Sequence, residues 1–242
     1  MPDLVVVTGA AGGIGSAVAA RLAADGYQVH GVDRADGDLT TEEGVQAALA
    51  DAGLVKALVH CAGITAGAPA HETTLEAWHH VMDTNVTSAF LCARAVLPAM
   101  MAAGHGVIIT IGSIHATRHF PALPAYSASK AALAALTRQL AVDYARHGIR
   151  AVTIAPAWVR TPDTETRLTD PDDLARLTET QHLGTPDDIA AAVAYVLTAP
   201  YLTGTELVLD GGAGAAQTAA LLRPGPRGKL GLPPLQEGPP CL

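Results

Sequence analysis

The chain has 242 residues, of which 49% are hydrophobic and 16% charged, and its formal net charge at pH 7 is −8. The apolar share is large enough to bury a core, which excludes intrinsic disorder for most of the chain, and the length suits one large domain. The negative charge and the lack of a Lys/Arg run disfavour binding to nucleic acid or to anionic lipid.

The three cysteines, Cys61, Cys92 and Cys241, are too few and too scattered for a disulfide framework or a cysteine-based zinc site. The N-terminal sequence lacks the basic region and the apolar length of a signal peptide. No stretch of about 18 uninterrupted apolar residues suggests a membrane span. We therefore expect a soluble cytoplasmic protein with reduced thiols, no metal site and no membrane partner.

Short β-branched runs alternate with longer Ala- and Leu-rich segments of helical spacing. The predicted strands span residues 4–8, 28–32, 55–60, 106–111, 149–154 and 206–209, and the predicted helices span residues 14–25, 41–51, 83–103, 126–147 and 186–198. Nearly continuous apolar strands indicate burial on both faces of a sheet. The alternation therefore predicts an α/β fold: a single doubly wound, Rossmann-type parallel sheet with helices on both faces.

A Gly-rich loop, Thr8-Gly9-Ala10-Ala11-Gly12-Gly13-Ile14-Gly15, follows the first predicted strand and opens the first helix. Small residues let the backbone turn tightly and approach a pyrophosphate, and a helix N-terminus supplies free N–H groups and partial positive charge. The same letters could form a plain turn. Because a strand precedes the loop and an amphipathic helix follows it, we expect a dinucleotide-binding site.

Asp33 ends the second predicted strand, 18 residues beyond Gly15. A carboxylate there can bind ribose hydroxyls and would repel a 2′-phosphate, which favours NAD over NADP, although the adjacent Arg34 could accept a phosphate and the aspartate could simply cap a turn. Only four residues separate Asp33 from Asp38, too few for a helix and a return strand. We therefore predict that the sheet is trimmed beyond its second strand.

Tyr126 and Lys130 lie one turn apart on the same face of the predicted helix 126–147. An ammonium near a phenol stabilises the phenolate and lowers its pKa from about 10, which makes Tyr126 a candidate general acid or base. Ser113 follows the predicted strand 106–111, and the carboxyl ends of parallel strands line the ligand crevice. Its hydroxyl could hold a carbonyl oxygen while Tyr126 exchanges a proton.

Taken together, these motifs resemble the short-chain dehydrogenase/reductase family in its compact form, over roughly residues 3–212. The Gly-rich loop is similar to the family's TGxxxGIG motif. Asn85, Ser113, Tyr126 and Lys130 match the family's catalytic tetrad, in which the asparagine holds a water of a proton relay. The resemblance implies an oxidoreductase that transfers a hydride between NAD(H) and a secondary alcohol, a ketone or a cyclic diol.

The resemblance also implies the residues that would bind the cofactor. Residues 156–161 are similar to the family's PGxVxT segment, which touches the nicotinamide amide, and Asp38-Leu39 resembles the pair that flanks the adenine. Residues 201–204 and 209–212 resemble the C-terminal strand signature. The implied cofactor-binding residues are Gly9, Ala11, Gly12, Gly13, Ile14, Gly15, Asp33, Arg34, Asp38, Leu39, Cys61, Ala62, Gly63, Tyr126, Lys130, Pro156, Val159 and Thr161.

Two positions depart from the family pattern. Where the family reads NNAG, the chain reads His60-Cys61-Ala62-Gly63, which we expect to remove asparagine hydrogen bonds between adjacent strands. Ala157 replaces the usual Gly after Pro156, and we expect a tighter turn against the nicotinamide. Both departures bear on local stability and cofactor affinity. Cys61 is expected to be a small packing residue, since no basic partner is evident.

Several segments around this core carry open interpretations. Trp158 and residues 163–182 are predicted to form a mobile substrate cover. His115 and His119 are loop histidines without a role, or His115 contacts a polar substrate group. Residues 1–212 form the predicted dehydrogenase domain, and the Pro- and Gly-rich residues 213–242 form an arm that is either disordered or packed on a neighbouring subunit through Leu230, Leu232 and Leu235.

The family assembles dimers and tetramers through the helices that correspond to residues 83–103 and 126–147, so we expect a homo-oligomer, namely a homotetramer. One alternative function is a non-catalytic NAD-binding redox sensor, which would have no need of the tetrad. Another is an epimerase or dehydratase of a nucleotide sugar, which we would expect on a longer chain.

Overall fold

The computed structural model describes residues 2–167 and 183–215. Six strands form one parallel sheet in the order β2-β1-β3-β4-β5-β6. The strands are β1 (Leu4–Thr8), β2 (Gln28–Val32), β3 (Val55–His60), β4 (Gly106–Ile111), β5 (Ile149–Pro156) and β6 (Thr205–Leu209). The predicted Rossmann-type fold is confirmed.

Helices cover both faces of the sheet. They are α1 (Gly13–Ala24), α2 (Glu42–Ala48), α3 (Leu75–Met82), α4 (Ser88–Ala103), α5 (Pro124–Tyr144), α6 (Pro162–Arg167) and α7 (Pro186–Thr198). In β1, Val5 and Val7 join the core beneath α1 and α7, whereas Val6 joins the core beneath α2, α4 and α5. This alternation explains why the strand reads as continuously apolar, since both of its faces are buried.

The sheet edge beside β2 is trimmed as predicted. Within the described ranges no strand pairs with the outer side of β2. Residues 33–41 form turns, and α2 begins only at Glu42, where the Thr41 hydroxyl accepts a hydrogen bond from Gly44 N at 3.1 Å. The chain then returns directly to β3, which pairs with the other side of β1.

A helix of 29 residues, Leu75–Ala103, contains α3, a five-residue π-helical turn (Asp83–Thr87) and α4. The predicted start at residue 83 is therefore wrong: the helix begins after Thr74, whose hydroxyl accepts a hydrogen bond from Ala77 N. An 18-residue stretch of this helix has a mean hydropathy of 1.6, so by length and composition the helix could cross a membrane, contrary to the expectation from uninterrupted apolar runs. In this fold Cys92, Val96 and Met100 are buried in the core.

Two predicted segments extend outside the described residues. Of the predicted substrate cover 163–182, residues up to 167 belong to α6, and residues 168–182 lie outside. Of the predicted arm 213–242, only residues 213–215 are described, so that Leu230, Leu232 and Leu235 lie outside as well. Both predictions stay predictions.

Candidate active site

The Gly-rich loop after β1 has the geometry of a phosphate cradle. Gly9 adopts a φ of +65°, and a Cβ atom there would lie 2.9 Å from Ala62 N, so only glycine fits. Helix α1 starts at Gly13, and its N-cap residue Gly12 makes no side-chain capping bond. Because glycine has no side chain, Gly12 leaves the first N–H groups of the helix without a side-chain cap. These donors and the partial positive charge of the helix N-terminus suit a dinucleotide phosphate.

The segment that follows β5 closes against this loop. A Cβ atom at Gly13 would lie 2.9 Å from the Thr161 Cβ atom, so the threonine packs directly on the loop. Thr161 also accepts a hydrogen bond from Thr164 N at 3.2 Å at the start of α6, and Val159 is buried. Ala157 does not adopt a positive φ, so replacement of the family's glycine introduces no backbone strain. The predicted nicotinamide segment and the phosphate loop thus meet.

Asp33 connects the end of β2 to the Gly-rich loop. Its Oδ2 atom accepts a hydrogen bond from Ala11 N and its Oδ1 atom accepts one from Arg34 N, both at 2.8 Å. Each carboxylate oxygen retains acceptor capacity for a ribose hydroxyl. The turn-capping and ribose-binding interpretations of Asp33 are therefore compatible.

Asp38 and Leu39 lie beyond the trimmed edge. Hydrogen bonds from the backbone and hydroxyl of Thr40 lower the pKa of Asp38, which keeps this exposed carboxyl ionised. Leu39 is partly buried against the core beneath α2. The pair is positioned by the turn that precedes α2.

His60 forms hydrogen bonds to two other elements of the fold and is 1% exposed. Its Nδ1 atom lies 3.0 Å from Thr8 Oγ1 in β1, and its Nε2 atom lies 3.2 Å from Ser88 Oγ in α4. Thr8 Oγ1 also accepts from Ala62 N at 3.2 Å. The family's asparagine hydrogen bonds are absent here, as expected, but the imidazole connects β3 to β1 through Thr8 and to α4 through Ser88.

The proton positions in this chain of hydrogen bonds follow from its two ends. Ser88 Oγ donates to the carbonyl of Thr84, so it accepts from the His60 Nε2–H group. Nδ1 is then the acceptor of a hydrogen bond that the Thr8 hydroxyl donates. Each polar group in this series of hydrogen bonds has a matching partner only if His60 is neutral. Consistently, burial, together with the charge of Lys130, lowers the pKa of His60 to about 3.

Cys61 and Gly63 follow His60 in the loop after β3. Burial raises the pKa of the Cys61 thiol to about 12, which makes it a packing residue and not a nucleophile, as expected. A Cβ atom at Gly63 would lie 3.2 Å from Asn85 Oδ1 and 3.5 Å from Lys130 Nζ. Gly63 therefore lies against two members of the predicted tetrad, where a side chain would crowd them.

Lys130 is 5% exposed and reaches from α5 to the end of β4, where its Nζ atom donates to the Ile111 carbonyl at 2.8 Å. The same Nζ atom lies 5.5 Å from the centroid of the Tyr126 ring. Burial lowers the pKa of Lys130 to about 8. The predicted pairing of a phenol with an ammonium on one helical face is present.

Ser113 lies beside this pair. It is the N-cap of a short 3₁₀ turn, Ile114–Ala116, that packs on α5, and its Oγ atom accepts from His115 N at 3.1 Å. The ring of His115 approaches the ring of Tyr126 edge-on, with 6.0 Å between centroids. The turn of Ser113 and the helical pair Tyr126 and Lys130, predicted from two segments, thus meet at the carboxyl end of β4.

Asn85 lies in the π-helical turn and is fully buried. Its Oδ1 atom accepts from Ile64 N at 2.7 Å, and its Nδ2 atom donates to Ile64 O and to Ser129 Oγ, both at 2.9 Å. Ser129 Oγ in turn donates to the Tyr126 carbonyl at 2.7 Å. Because both N–H donors are engaged, a water held by Asn85 would have to donate to one of its oxygen atoms.

An aromatic wall, which we define as His115, Phe120, Trp158 and Tyr126, extends from the tetrad. Ring centroids lie 6.2 Å apart for His115–Phe120 and 6.1 Å apart for Phe120–Trp158. His115 Nδ1 donates to the Arg118 carbonyl at 2.8 Å, which orients its ring. The two loop histidines thus differ: the His115 ring contacts Tyr126, whereas His119 is exposed.

Neither the aromatic wall nor the hydrogen bonds of His60 are predicted from the sequence. The signal for His60 was a polar residue at the end of an otherwise apolar strand, which must find partners when buried. Phe120 gave no comparable signal, because its contacts depend on how two distant loops approach each other.

Known proteins are similar to this chain in sequence. The family model described as Enoyl-(Acyl carrier protein) reductase matches residues 36–214 of the chain. The chain belongs to the short-chain dehydrogenase/reductase family. It is 36% identical to 2-(R)-hydroxypropyl-CoM dehydrogenase of Xanthobacter autotrophicus, over 87% of this chain and 98% of that protein. It is 35% identical to 3beta-hydroxysteroid dehydrogenase 1 of Eggerthella lenta, over 86% and 92%.

Solved structures of the family are similar throughout the described fold. A protein proposed to be an NAD(P) dependent gluconate 5-dehydrogenase, from Beutenbergia cavernae with bound NADP, superposes with a TM-score of 0.84 at 33% identity and covers 88% of this chain and 97% of its own. The 3-ketoacyl-(acyl-carrier-protein) reductase of Brucella melitensis, complexed with NADH, gives a TM-score of 0.78 at 28% identity, with coverages of 87% and 97%. Both of these family members bind a nicotinamide cofactor, which agrees with the phosphate cradle formed by the Gly-rich loop.

Proposed function

We propose that the chain is an NAD-dependent oxidoreductase that transfers a hydride between NAD(H) and a secondary alcohol, a ketone or a cyclic diol. The observation that carries the proposal is the convergence of Tyr126, Lys130 and the turn of Ser113 next to the Gly-rich loop. Relatives named as dehydrogenases of hydroxyl groups support the reaction class.

In this mechanism the chain's own residues hold the reacting oxygen and move its proton. The nicotinamide, when bound, supplies or accepts the hydride. Ser113 Oγ hydrogen-bonds the substrate oxygen, and the Tyr126 phenol exchanges its proton with that oxygen. The Lys130 ammonium stabilises the phenolate and binds the cofactor ribose. Asn85 holds the loop after β3 to α5 and, through an acceptor oxygen, a water that links Lys130 to solvent.

Asp33 supports NAD over NADP as the cofactor. Its carboxylate is fixed at the end of β2 by the Ala11 and Arg34 backbone N–H groups, where a 2′-phosphate would meet negative charge. The measurement is the ratio of kcat/KM for the two cofactors with one substrate. A ratio above one supports the assignment, and a ratio below one would assign the chain to NADP.

The test of the reaction itself is the variant Tyr126→Phe. Loss of the proton-exchanging phenol is expected to lower turnover by about 10²- to 10⁴-fold, while NADH affinity stays within roughly threefold because the ring is retained. The matched control is Tyr144→Phe, in the last turn of the same helix, which should retain full turnover. Undiminished turnover in Tyr126→Phe would contradict the mechanism. If the wild type bound NADH but turned over no alcohol or ketone, the redox-sensor alternative would be favoured.

A further inference from the structure

A small pocket lies between the loop after β3 and the loop that leads into α5. Pro69 lines one side, and Phe120, Leu123, Pro124 and Ser127 line the other. The pocket has a volume of about 270 Å³, which equals the liquid volume of roughly nine water molecules. This is enough for a compact group of one or two rings. Its lining contains no Asp, Glu, Lys or Arg side chain.

The polar residues of this otherwise apolar lining are His119, which is exposed, and Ser127. Ser127 is the buried one of the two. It follows Tyr126 directly in α5 and is 8% exposed. Among the residues that the structure describes, its Oγ atom is the one buried side-chain polar atom without a hydrogen-bond partner. A buried hydroxyl without a partner is unfavourable, so its presence at a pocket indicates a partner that comes from a ligand.

A strained backbone residue marks the same pocket. Ala122 lines it with a φ of +60°, the one positive φ outside glycine in the described part of the chain. Such strain tends to persist at ligand sites, where the surrounding structure holds it in place. Gly67, across the gap, approaches this loop so closely that an added Cβ atom would lie 3.4 Å from the Ala122 carbonyl.

The pocket adjoins the aromatic wall of the proposed active site at Phe120. That ring lines the pocket and also belongs to the aromatic wall, in which His115 contacts both Phe120 and Tyr126. A substrate whose reacting oxygen lies at Tyr126 could therefore extend its remaining atoms along the wall into the pocket.

We infer that this pocket is a substrate subsite for the ring body of a compact, uncharged alicyclic ketone or alcohol. The ring packs against Phe120 and Leu123, and a second oxygen on the ring, remote from the reacting carbon, hydrogen-bonds Ser127. The inference rests on the proposed function and narrows its substrate class: polyols would leave the largely apolar lining unmatched, and an anionic group would meet no Lys or Arg in it.

Binding is tested first, with a readout independent of turnover. The chain has two tryptophans, Trp78 and Trp158, and Trp158 belongs to the aromatic wall. In a Trp78→Phe background, Trp158 fluorescence is followed while 2-decalone, decahydronaphthalene-1,5-dione or xylitol is added in the presence of NAD. Saturable changes are expected with the two ketones and none with xylitol. Equal responses to all three would overturn the inference.

Two variants separate the ring contact from the hydrogen bond. Phe120→Ala should weaken binding of both ketones by about tenfold or more, since it removes the apolar surface. Ser127→Ala should weaken the dione by about 3- to 10-fold and leave the monoketone unchanged, because only the dione has a second oxygen. Leu54→Ala, at an exposed leucine before β3, is the control and should change neither. Unchanged affinities in both pocket variants would overturn the inference.

Reduction by NADH then distinguishes the two proposals. We expect kcat/KM for 2-decalone to exceed that for acetone by at least about tenfold, and Phe120→Ala to remove most of this difference. Equal values for the two ketones would contradict the subsite while leaving the proposed function intact. Saturable ketone binding with the expected variant effects, but without NADH oxidation, would support the subsite and contradict the proposed function.

Discussion

Lys130 carries a buried charge, and burying this charge lowers the free energy of unfolding. Burial lowers its pKa from 10.5 to about 8. Between these two pH values the unfolded chain binds more protons than the folded chain, so the contribution of Lys130 to stability rises with pH. Below pH 8 the cost of burying the ammonium is present in full. A site that needs an ammonium beside a phenol explains why such a residue is kept.

The variant Lys130→Met tests this conflict. It keeps the length of the side chain without its charge, so we expect a higher free energy of unfolding at pH 7 and a smaller rise between pH 8 and 10.5, together with loss of turnover. Urea denaturation at several pH values measures the first two effects. Lys56→Met, which removes an exposed ion pair with Asp3, should keep the wild-type pH slope. A wild-type slope in Lys130→Met would contradict the assignment.

His60 imposes a pH dependence of the same sign in a more acidic window. The folded chain keeps it neutral down to a pKa of about 3, whereas the ordinary value is 6.5, so stability is lost as the pH falls through this window. His60→Ala should lower the free energy of unfolding at pH 7 by about 2–4 kcal/mol, because it leaves Thr8 and Ser88 with lost partners and opens a cavity.

The acid limb of the unfolding curve is the specific readout for His60. His60→Ala should lose less stability than the wild type between pH 6.5 and 4, since the residue that resists protonation is gone. His71→Ala, at a side chain that is 80% exposed, is the matched control and should retain both the stability and the acid sensitivity of the wild type. An acid limb of His60→Ala that parallels the wild type would show that His60 is not held neutral.

At the scale of elements, the π-helical turn Asp83–Thr87 positions Asn85. A π turn adds one residue to the helical turn, and such turns are frequent at functional sites. Here it directs the Asn85 amide toward both Ile64 in the loop after β3 and Ser129 in α5. One side chain thus connects three elements of the site.

Replacing the amide by a carboxylate should break these connections. Asn85→Asp keeps the shape but loses both N–H donors, and we expect the free energy of unfolding to fall by about 2–4 kcal/mol and turnover to fall with it. Asp83→Asn, the converse change at an exposed position of the same turn, should stay within about 0.5 kcal/mol of the wild type. Denaturation curves that coincide for the two variants would refute the role of the amide.

The helix Leu75–Ala103 also illustrates which features of the fold the sequence predicts and which it does not. The inner strands were predictable because burial on both faces makes them nearly continuously apolar. Ser113, Tyr126 and Lys130 were predictable because a strand end and one helical face bring them together, whereas Asn85 followed from the family resemblance. The start of α3 was missed because the π turn shifts the helical phase, so that no single apolar stripe runs from Leu75 to Ala103. The contacts of His60 and Phe120 are tertiary, and no local pattern specifies them.

On the surface of the protein, two groups of exposed apolar side chains lie on elements that could contact other copies of the chain. Phe90 and Val142 lie on α4 and α5, which cover one face of the sheet, and Val142 is 74% exposed. Tyr195 and Val208 lie on α7 and on the edge strand β6. A closed tetramer with two-fold axes needs two different self-complementary patches. The two groups therefore agree with the homotetramer predicted from the sequence, which stays a prediction.

Light scattering on the full chain tests that assembly, with an expected mass of about four times the 24.7 kDa of one chain. Val142→Glu should give dimers, because a carboxylate on α5 removes one patch and leaves the other, and Val208→Glu should give dimers through the remaining patch. Leu54→Glu, at an exposed leucine outside both groups, should leave the mass unchanged. If either patch variant were monomeric, the two patches would not assemble independently; a monomeric wild type would refute the tetramer.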